Sequence, residues 1–307
     1  MEIFIDMSRP ICDDSPRFPP KTINSDRRDH FMTLVLSLIQ PSPVPTELQG
    51  ITPDQLAPLS PAEIQQLPVL QGNRRLPLAE VFHISGSPVD LDIVLQGDLA
   101  GVHWIGAGMV RGRMTVEGSV GRHAGSGMSG GELVVKGSAD GWAGAEMRGG
   151  LLRIEGSAGP LAGGAYRGAT KGMSGGTLLI HGDAGSESGL VMRRGLIAIG
   201  GSCGDYPAFN MLAGAMFVFG RAGLRPAAGM RRGTLALLGP SQPRLLPTFR
   251  HSAVLQPTAV RLVLKRLEQL RFPIAAELYA TRLELFRGDL VAGGKGELLR
   301  LPGVHEH

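Results

Sequence analysis

Cysteine is almost absent: Cys12 and Cys203 are the only two, far apart and on unrelated segments. That argues against a disulfide framework, an iron–sulfur ligand set or a structural zinc site on this chain. Aromatic residues make up 5% of the chain and form no stacking motif beside its basic residues, which argues against a nucleic-acid partner. No apolar run approaches the length of a membrane span, so no membrane partner is expected. The first residues include Glu2 and Asp6 and no basic segment leading a hydrophobic stretch, so no secretory signal is expected and the cytoplasm is the expected location. Catalytic signatures are missing too. His83, His103, His123 and His181 show neither H-x-x-x-H nor H-E-x-x-H spacing, and there is no G-x-S-x-G elbow. No catalytic residue and no metal ligand is expected on this chain.

Glycine, in contrast, is abundant: 37 of 45 glycines lie between Gly97 and Gly239. There the chain repeats itself seven times, starting at Gly97, Gly118, Gly137, Gly156, Gly182, Gly201 and Gly220. Each repeat carries a methionine at a matching position (Met109, Met128, Met147, Met173, Met192, Met211, Met230), with a glycine three residues later and then an alternating apolar segment such as Leu152-x-Ile154. Glycine inside helices costs about 1 kcal/mol relative to alanine, so helical hairpins are excluded. Self-similarity at a fixed period is the mark of stacked repeats. The expected fold is an all-β solenoid, a parallel β-helix of about seven coils whose strands lie about 4.8 Å apart, with the methionines as internal gap-fillers. Gly-rich stretches such as Gly106-Ala-Gly108 recur in this array instead of opening a helix, so they are not dinucleotide loops. His103 and His123 fall at nearly matching positions of adjacent repeats, close enough to stack on one another.

The fourth repeat is 26 residues long where five others have 19, an insertion near residues 165–171. Such an insertion bulges from one face, as a binding feature or as a neutral surface loop. Residues 1–30 are rich in proline and charge without periodicity, and are expected to be disordered. Met32 sits just before the first credible strand and is a candidate start of translation. Residues 31–96 are expected to form an N-terminal cap with strands over 31–39 and 89–96 and a capping box at Ser60-Pro61-Ala62-Glu63. Residues 97–239 are the repeat block. Residues 240–307 are expected to form a C-terminal cap holding a helix over 258–271, with Val260, Val263, Leu264, Leu267 and Leu270 as its apolar stripe.

Charge is unevenly placed. The first 96 residues carry seven basic and twelve acidic side chains, a balance of −5, and the rest carry 24 and 15, a balance of +9. Arg111, Arg148, Arg193, Arg194, Arg231 and Arg232 all fall between a methionine and the following strand, with Arg113 one step further on. Stacking would align the six as a basic stripe along one edge. That stripe is either a solvated face or a track for a polyanionic ligand or acidic partner.

The repeated G-x3-G-x2-M-x2-G-x-L-x-[VI] pattern over residues 97–239 resembles the GXGXG domain. That domain is a right-handed parallel β-helix, found at the C-terminus of the glutamate synthase large subunit and as the body of the formylmethanofuran dehydrogenase C-subunit. Glutamate synthase is disfavoured because the chain lacks its glutaminase, flavin and cysteine-cluster regions. Leu70-Gln-Gly-Asn73 and Leu78-Ala-Glu-Val-Phe82 resemble the segment that precedes the solenoid in the formylmethanofuran dehydrogenase C-subunit family, and Leu246-Pro-Thr-Phe-Arg-His-Ser252 and Gly294-Lys-Gly-Glu297 are similar to its branch in methylotrophic bacteria, the C-subunit of the formyltransferase/hydrolase complex. The resemblance implies a non-catalytic scaffold in one-carbon metabolism. Its partners would be hydrolase and formyltransferase subunits, which pass a formyl group from formyl-tetrahydromethanopterin to a methanofuran-like carrier and hydrolyse it to formate. No cofactor would be bound by this chain. The carrier's acidic, glutamyl-rich tail would be a ligand for Arg193, Arg194, Arg231 and Arg232. Alternatives are the C-subunit of a molybdenum or tungsten formylmethanofuran dehydrogenase, a detached glutamate-synthase-type domain, or a stand-alone interaction module.

Overall fold

The computed structural model describes residues 33–240 and 243–302. The expected disorder of residues 1–30 and the start of translation near Met32 lie outside the described residues, as does Cys12. In chain order the strands are β1 (Leu34–Leu38), β2 (Thr46–Glu47), β3 (Pro68–Gln71), β4 (Arg74–Pro77), β5 (Phe82–Ser85), β6 (Asp92–Gln96), β7 (Val102–His103), β8 (Arg113–Val116) and β9 (Glu132–Val135). They continue as β10 (Arg148–Ile154), β11 (Ser174–Ile180), β12 (Arg194–Ile199), β13 (Ala215–Val218), β14 (Arg232–Leu237), β15 (Arg250–Leu255), β16 (Leu283–Gly288) and β17 (Lys295–Arg300). The helices are α1 (Pro53–Leu56), α2 (Pro61–Gln65), α3 (Leu78–Val81) and α4 (Thr258–Gln269).

Each repeat supplies one strand to the main sheet, and these strands pair in parallel, in order, without register slip at their apolar positions. Leu133 is opposite Leu152, which is opposite Leu178, Ile197, Met216 and Leu235 in turn. One side of this sheet therefore carries unbroken columns of fully buried aliphatic side chains. All seven repeat methionines are 0% exposed and pack into the same core. The glycine after each methionine is forced by close passage. At Gly131, φ is +75° and a Cβ would lie 2.7 Å from the carbonyl oxygen of Gly112 one layer away.

The expected right-handed parallel β-helix of about seven coils with small α/β caps is corrected by the structure, which establishes no solenoid. Its main feature is a 13-stranded mixed sheet in the order β15-β16-β17-β14-β13-β12-β11-β10-β9-β8-β6-β1-β5. Sheet pairing does not stop where the repeats stop. Parallel pairing runs on through β6 and β1 at one side and β17 at the other, and antiparallel β5, β16 and β15 complete the edges. A second sheet within the repeats is blocked by backbone handedness. Five, three and one residues before the methionine the chain is mostly left-handed, as at Trp142 (φ 62°), Gly144 (φ 64°) and Glu146 (φ 53°), and left-handed residues cannot extend a strand. Apart from β7 of the first repeat, which pairs with β2, the return path makes only single-residue bridges among the described residues, Leu99 to Val120 to Ala139 to Ala158 to Ala184 to Cys203 to Ala222. Side chains carry on the ladder beside it: Ser119, Ser138, Ser157, Asp183 and Ser202 each accept the N–H of the matching residue in the next layer, at 2.6–3.2 Å.

The expected capping box is present, with Ser60 Oγ accepting the Glu63 N–H and Glu63 Oε2 accepting the Ser60 N–H. A four-stranded sheet, β4-β3-β2-β7, forms in the N-terminal part. The apolar stripe of α4 is buried at Val260, Leu264 and Leu267. It packs against Phe217, Ala236 and Leu238, whose side chains face away from the methionine core, so α4 covers the outer side of the sheet. Among the described residues no helix is long and apolar enough to cross a membrane.

Candidate functional site

The six arginines singled out in the sequence occupy the first or second residue after a repeat methionine, where the chain leaves the left-handed turn and enters the sheet. The first of these residues donates its N–H to the methionine carbonyl one layer back: Arg148 to Met128, Arg193 to Met173 and Arg231 to Met211. This bond holds successive layers at strand spacing, about 4.8 Å. Arg111, Arg148, Arg193, Arg194, Arg231 and Arg232 are all exposed. None makes an ion pair among the described residues.

The arginines do not form a continuous stripe. They occupy the first, third, fifth and seventh repeats, while the second, fourth and sixth place Ser129-Gly130, Ser174-Gly175 and Leu212-Ala213 at these positions. Arginine layers are therefore separated by about two strand spacings, roughly 10 Å. Alternation relieves like-charge repulsion and leaves cationic forks with short neutral gaps. Arg113 is not on this edge; it lies in β8 and faces Glu132 across 3.7 Å.

The inserted loop of the fourth repeat stands on the same edge. Met173 donates its N–H to Gly163, closing the turn across the insertion as if residues 165–171 were absent. On one side the loop and edge frame a cleft of about 490 Å³ lined by Arg148, Lys171, Thr170, Ser174 and Glu146. On the other they frame one of about 450 Å³ lined by Thr170, Val191, Asn210, Leu212 and Arg231. Lys171 thus joins the basic edge. The insertion is legible in the sequence but the place of this cation is not, since a loop's direction is not periodic.

Tyr166 anchors the loop. Its hydroxyl lies 2.8 Å from His123 Nδ1 and 2.7 Å from Ser126 Oγ, while Ser126 Oγ donates to the Ala145 carbonyl at 3.2 Å. Because Ser126 gives its proton to Ala145, Tyr166 donates to Ser126 and His123 Nδ1–H donates to Tyr166. His123 does not stack on His103. It stacks on Trp104 (4.1 Å between centroids) and faces Trp142 at 5.4 Å. Burial, then His103 and Arg122, pull its pKa down to about 4, so the imidazole is neutral. His103 acts elsewhere: its Nδ1 accepts the Arg122 N–H at 2.9 Å, one more side-chain link between layers.

A third cleft, about 630 Å³, opens on the outer side of the sheet beyond the end of α4. Arg113, Arg153, Arg271, Glu132, Glu155 and His181 are among its lining residues. Phe272, 2% exposed, packs against the lining residue His181 at 5.0 Å.

No family model matches the chain. Over 83 residues it is 39% identical to the C-subunit of molybdenum-containing formylmethanofuran dehydrogenase 1 of Methanothermobacter thermautotrophicus, covering 27% of this chain and 21% of that protein. Over 96 residues it is 33% identical to the C-subunit of tungsten-containing formylmethanofuran dehydrogenase 2 of the same organism, covering 30% of this chain and 36% of that protein. The matched segments thus span between about a fifth and just over a third of these curated relatives' lengths. A crystal structure of the formyltransferase/hydrolase complex (FhcABCD) from Methylorubrum extorquens, in complex with methylofuran, contains a chain that superimposes with a TM-score of 0.81 at 39% identity. That likeness covers 88% of this chain and 100% of the other. At that identity and coverage, the chain belongs to the family of formylmethanofuran dehydrogenase C-subunits.

Proposed function

We propose that this chain is a non-catalytic scaffold subunit of a formyltransferase/hydrolase complex. The complex moves a formyl group from formyl-tetrahydromethanopterin to a methanofuran-like carrier and hydrolyses it to formate, and the chemistry belongs to the partner hydrolase and formyltransferase subunits. One observation carries this reading: the likeness to a chain of the Methylorubrum complex runs over that chain's whole length. The dehydrogenase relatives support a second reading, the C-subunit of a molybdenum or tungsten enzyme, but their alignments reach less than a third of this chain. The protein works in the cytoplasm. Residues 31–96 and 240–307 close the two ends of the repeat block at 97–239.

Arg193, Arg194, Arg231 and Arg232 are the contact for the carrier's acidic tail. Their exposure without ionic partners supports this, as does the methylofuran in the related complex. Mass spectrometry of the native complex tests the assembly: hydrolase and formyltransferase chains are expected with this one. Recovery with a metal-pterin subunit selects the second reading, and formyl turnover by the isolated chain refutes the scaffold role. For the arginines, reversing all four charges is expected to weaken carrier binding and flatten its salt dependence. Unchanged affinity and salt slope would leave them a solvated surface.

A further inference from the structure

The sheet layer beyond the seventh repeat copies the repeats and then departs from them. Asp289 donates its N–H to Met230 at 3.2 Å, the bond that the first residue after the methionine makes one layer back in the second to seventh repeats. Lys295 pairs with Arg232 and Gly296 with Gly233, the next two positions. Inside the repeats these positions are consecutive; here residues 290–294 are interposed between Asp289 and Lys295. They project from the same edge that carries the arginines.

This projection is held firmly and is apolar at its tip. The Asp289 carboxylate, 6% exposed, accepts the Val291 N–H at 3.1 Å and the Gly229 N–H at 3.2 Å. Leu290 donates its N–H to Thr248 at 3.1 Å, and Gly294 donates to Asp289 at 2.8 Å. On this base Leu290 is 45% exposed and Val291 85% exposed, the most exposed large apolar side chain among the described residues. Arg231, Arg232 and Lys295 are exposed next to it in the register, and none has an ion pair among the described residues.

We propose that the tip is a docking knob: Leu290 and Val291 enter an apolar socket of a partner protein whose rim is acidic, matching Lys295, while Arg231 and Arg232 beside it stay with the carrier's tail. The inference rests on the scaffold reading and names the end of the repeat block that meets a partner. A pre-ordered apolar knob in a charged ring has the composition of an interface hot spot, with little ordering entropy lost on binding. A membrane is the poorer occupant, because two apolar side chains give too little buried area for stable anchoring.

The test is made on the full chain, tagged and expressed in its native cells, as wild type, as L290D/V291D and as L262D, a change at an exposed apolar residue of α4. The melting temperature of L290D/V291D is expected to match wild type, because both side chains point to solvent. Affinity for one partner subunit is expected to fall about thirtyfold or more, the size of a hot-spot loss, while L262D assembles normally. K295E is expected to weaken the same contact and reduce its salt dependence. Wild-type levels of assembly by L290D/V291D would overturn the proposal. So would a tip-dependent wild-type homodimer, or tip-dependent sedimentation with vesicles of phosphatidylglycerol and phosphatidylcholine. A wild-type chain that comes out alone sinks the scaffold reading as well; a variant that assembles as well as wild type sinks only this one.

Discussion

The hydroxyl of Tyr166 lies 2.8 Å from Nδ1 of His123, 43 residues away in sequence. One hydrogen bond between an inserted residue and a turn two layers back fixes how the insertion lies along the basic edge. Tyr166→Phe removes that bond and the bond to Ser126. Hydrogen exchange over residues 165–171 is expected to accelerate, with about 1 kcal/mol lost from global stability. Unchanged exchange would show that backbone bonds alone hold the loop.

The same pair produces a pH dependence of definite sign. The folded-state pKa of His123 is depressed to about 4 from an ordinary value of 6.5, so between these pH values the unfolded chain binds more protons at this site. This contribution is complete above pH 6.5 and is lost as pH falls through 4. The melting temperature is therefore expected to decline over that window, and the decline is expected to shrink in His123→Asn, which cannot titrate there and tolerates a left-handed backbone. Equal slopes for the two proteins would assign the pH dependence elsewhere.

Two glycines separate backbone strain from crowding. At Gly127 (φ +65°) an added Cβ would have nothing within 4 Å, whereas at Gly131 (φ +75°) it would lie 2.7 Å from the Gly112 carbonyl oxygen. Gly127→Ala is expected to cost about 1 kcal/mol, the left-handed penalty alone. Gly131→Ala adds a backbone clash and is expected to cost about 3 kcal/mol or more in denaturant titration. Similar losses would mean that the layers can move apart.

Cys203 stands where Ala184 and Ala222 stand in adjacent layers, is 4% exposed, and has its thiol pushed up to about 12 by burial. In a Cys12→Ser background, a thiol reagent is expected to react with Cys203 only on unfolding. Cys203→Ala is expected to change stability by less than about 1 kcal/mol, since alanine already fits the column. Rapid labelling of the native protein would contradict this burial.

Phe272 fastens the end of α4 to the sheet, against His181 at 5.0 Å and Phe219 at 5.5 Å. Phe272→Ala is expected to cost about 3–5 kcal/mol, with exchange of the last helical turn increasing first. A loss below about 1 kcal/mol would show that Leu264 and Leu267 hold the helix unaided.

Much of this architecture was legible in the sequence because it depends on local spacing. The methionine and glycine periods place one strand per repeat and its register, the Ser60–Glu63 spacing announces a capping box, and the stripe from Val260 to Leu270 announces α4. The six edge arginines were also legible as a set. What the tertiary structure alone decided depends on which distant segments meet and on backbone handedness. Trp142 and Glu146 give no sign in the sequence of being left-handed, because such residues ordinarily favour negative φ, yet their conformation denies the return path a second sheet. The flanking strands joined the repeat sheet, including antiparallel partners, because exposed strand edges take any compatible partner in reach. Likewise, only packing brought Tyr166 to His123 and Asp289 to Met230, since no periodic rule governs where an inserted loop or a late strand will find its hydrogen bonds.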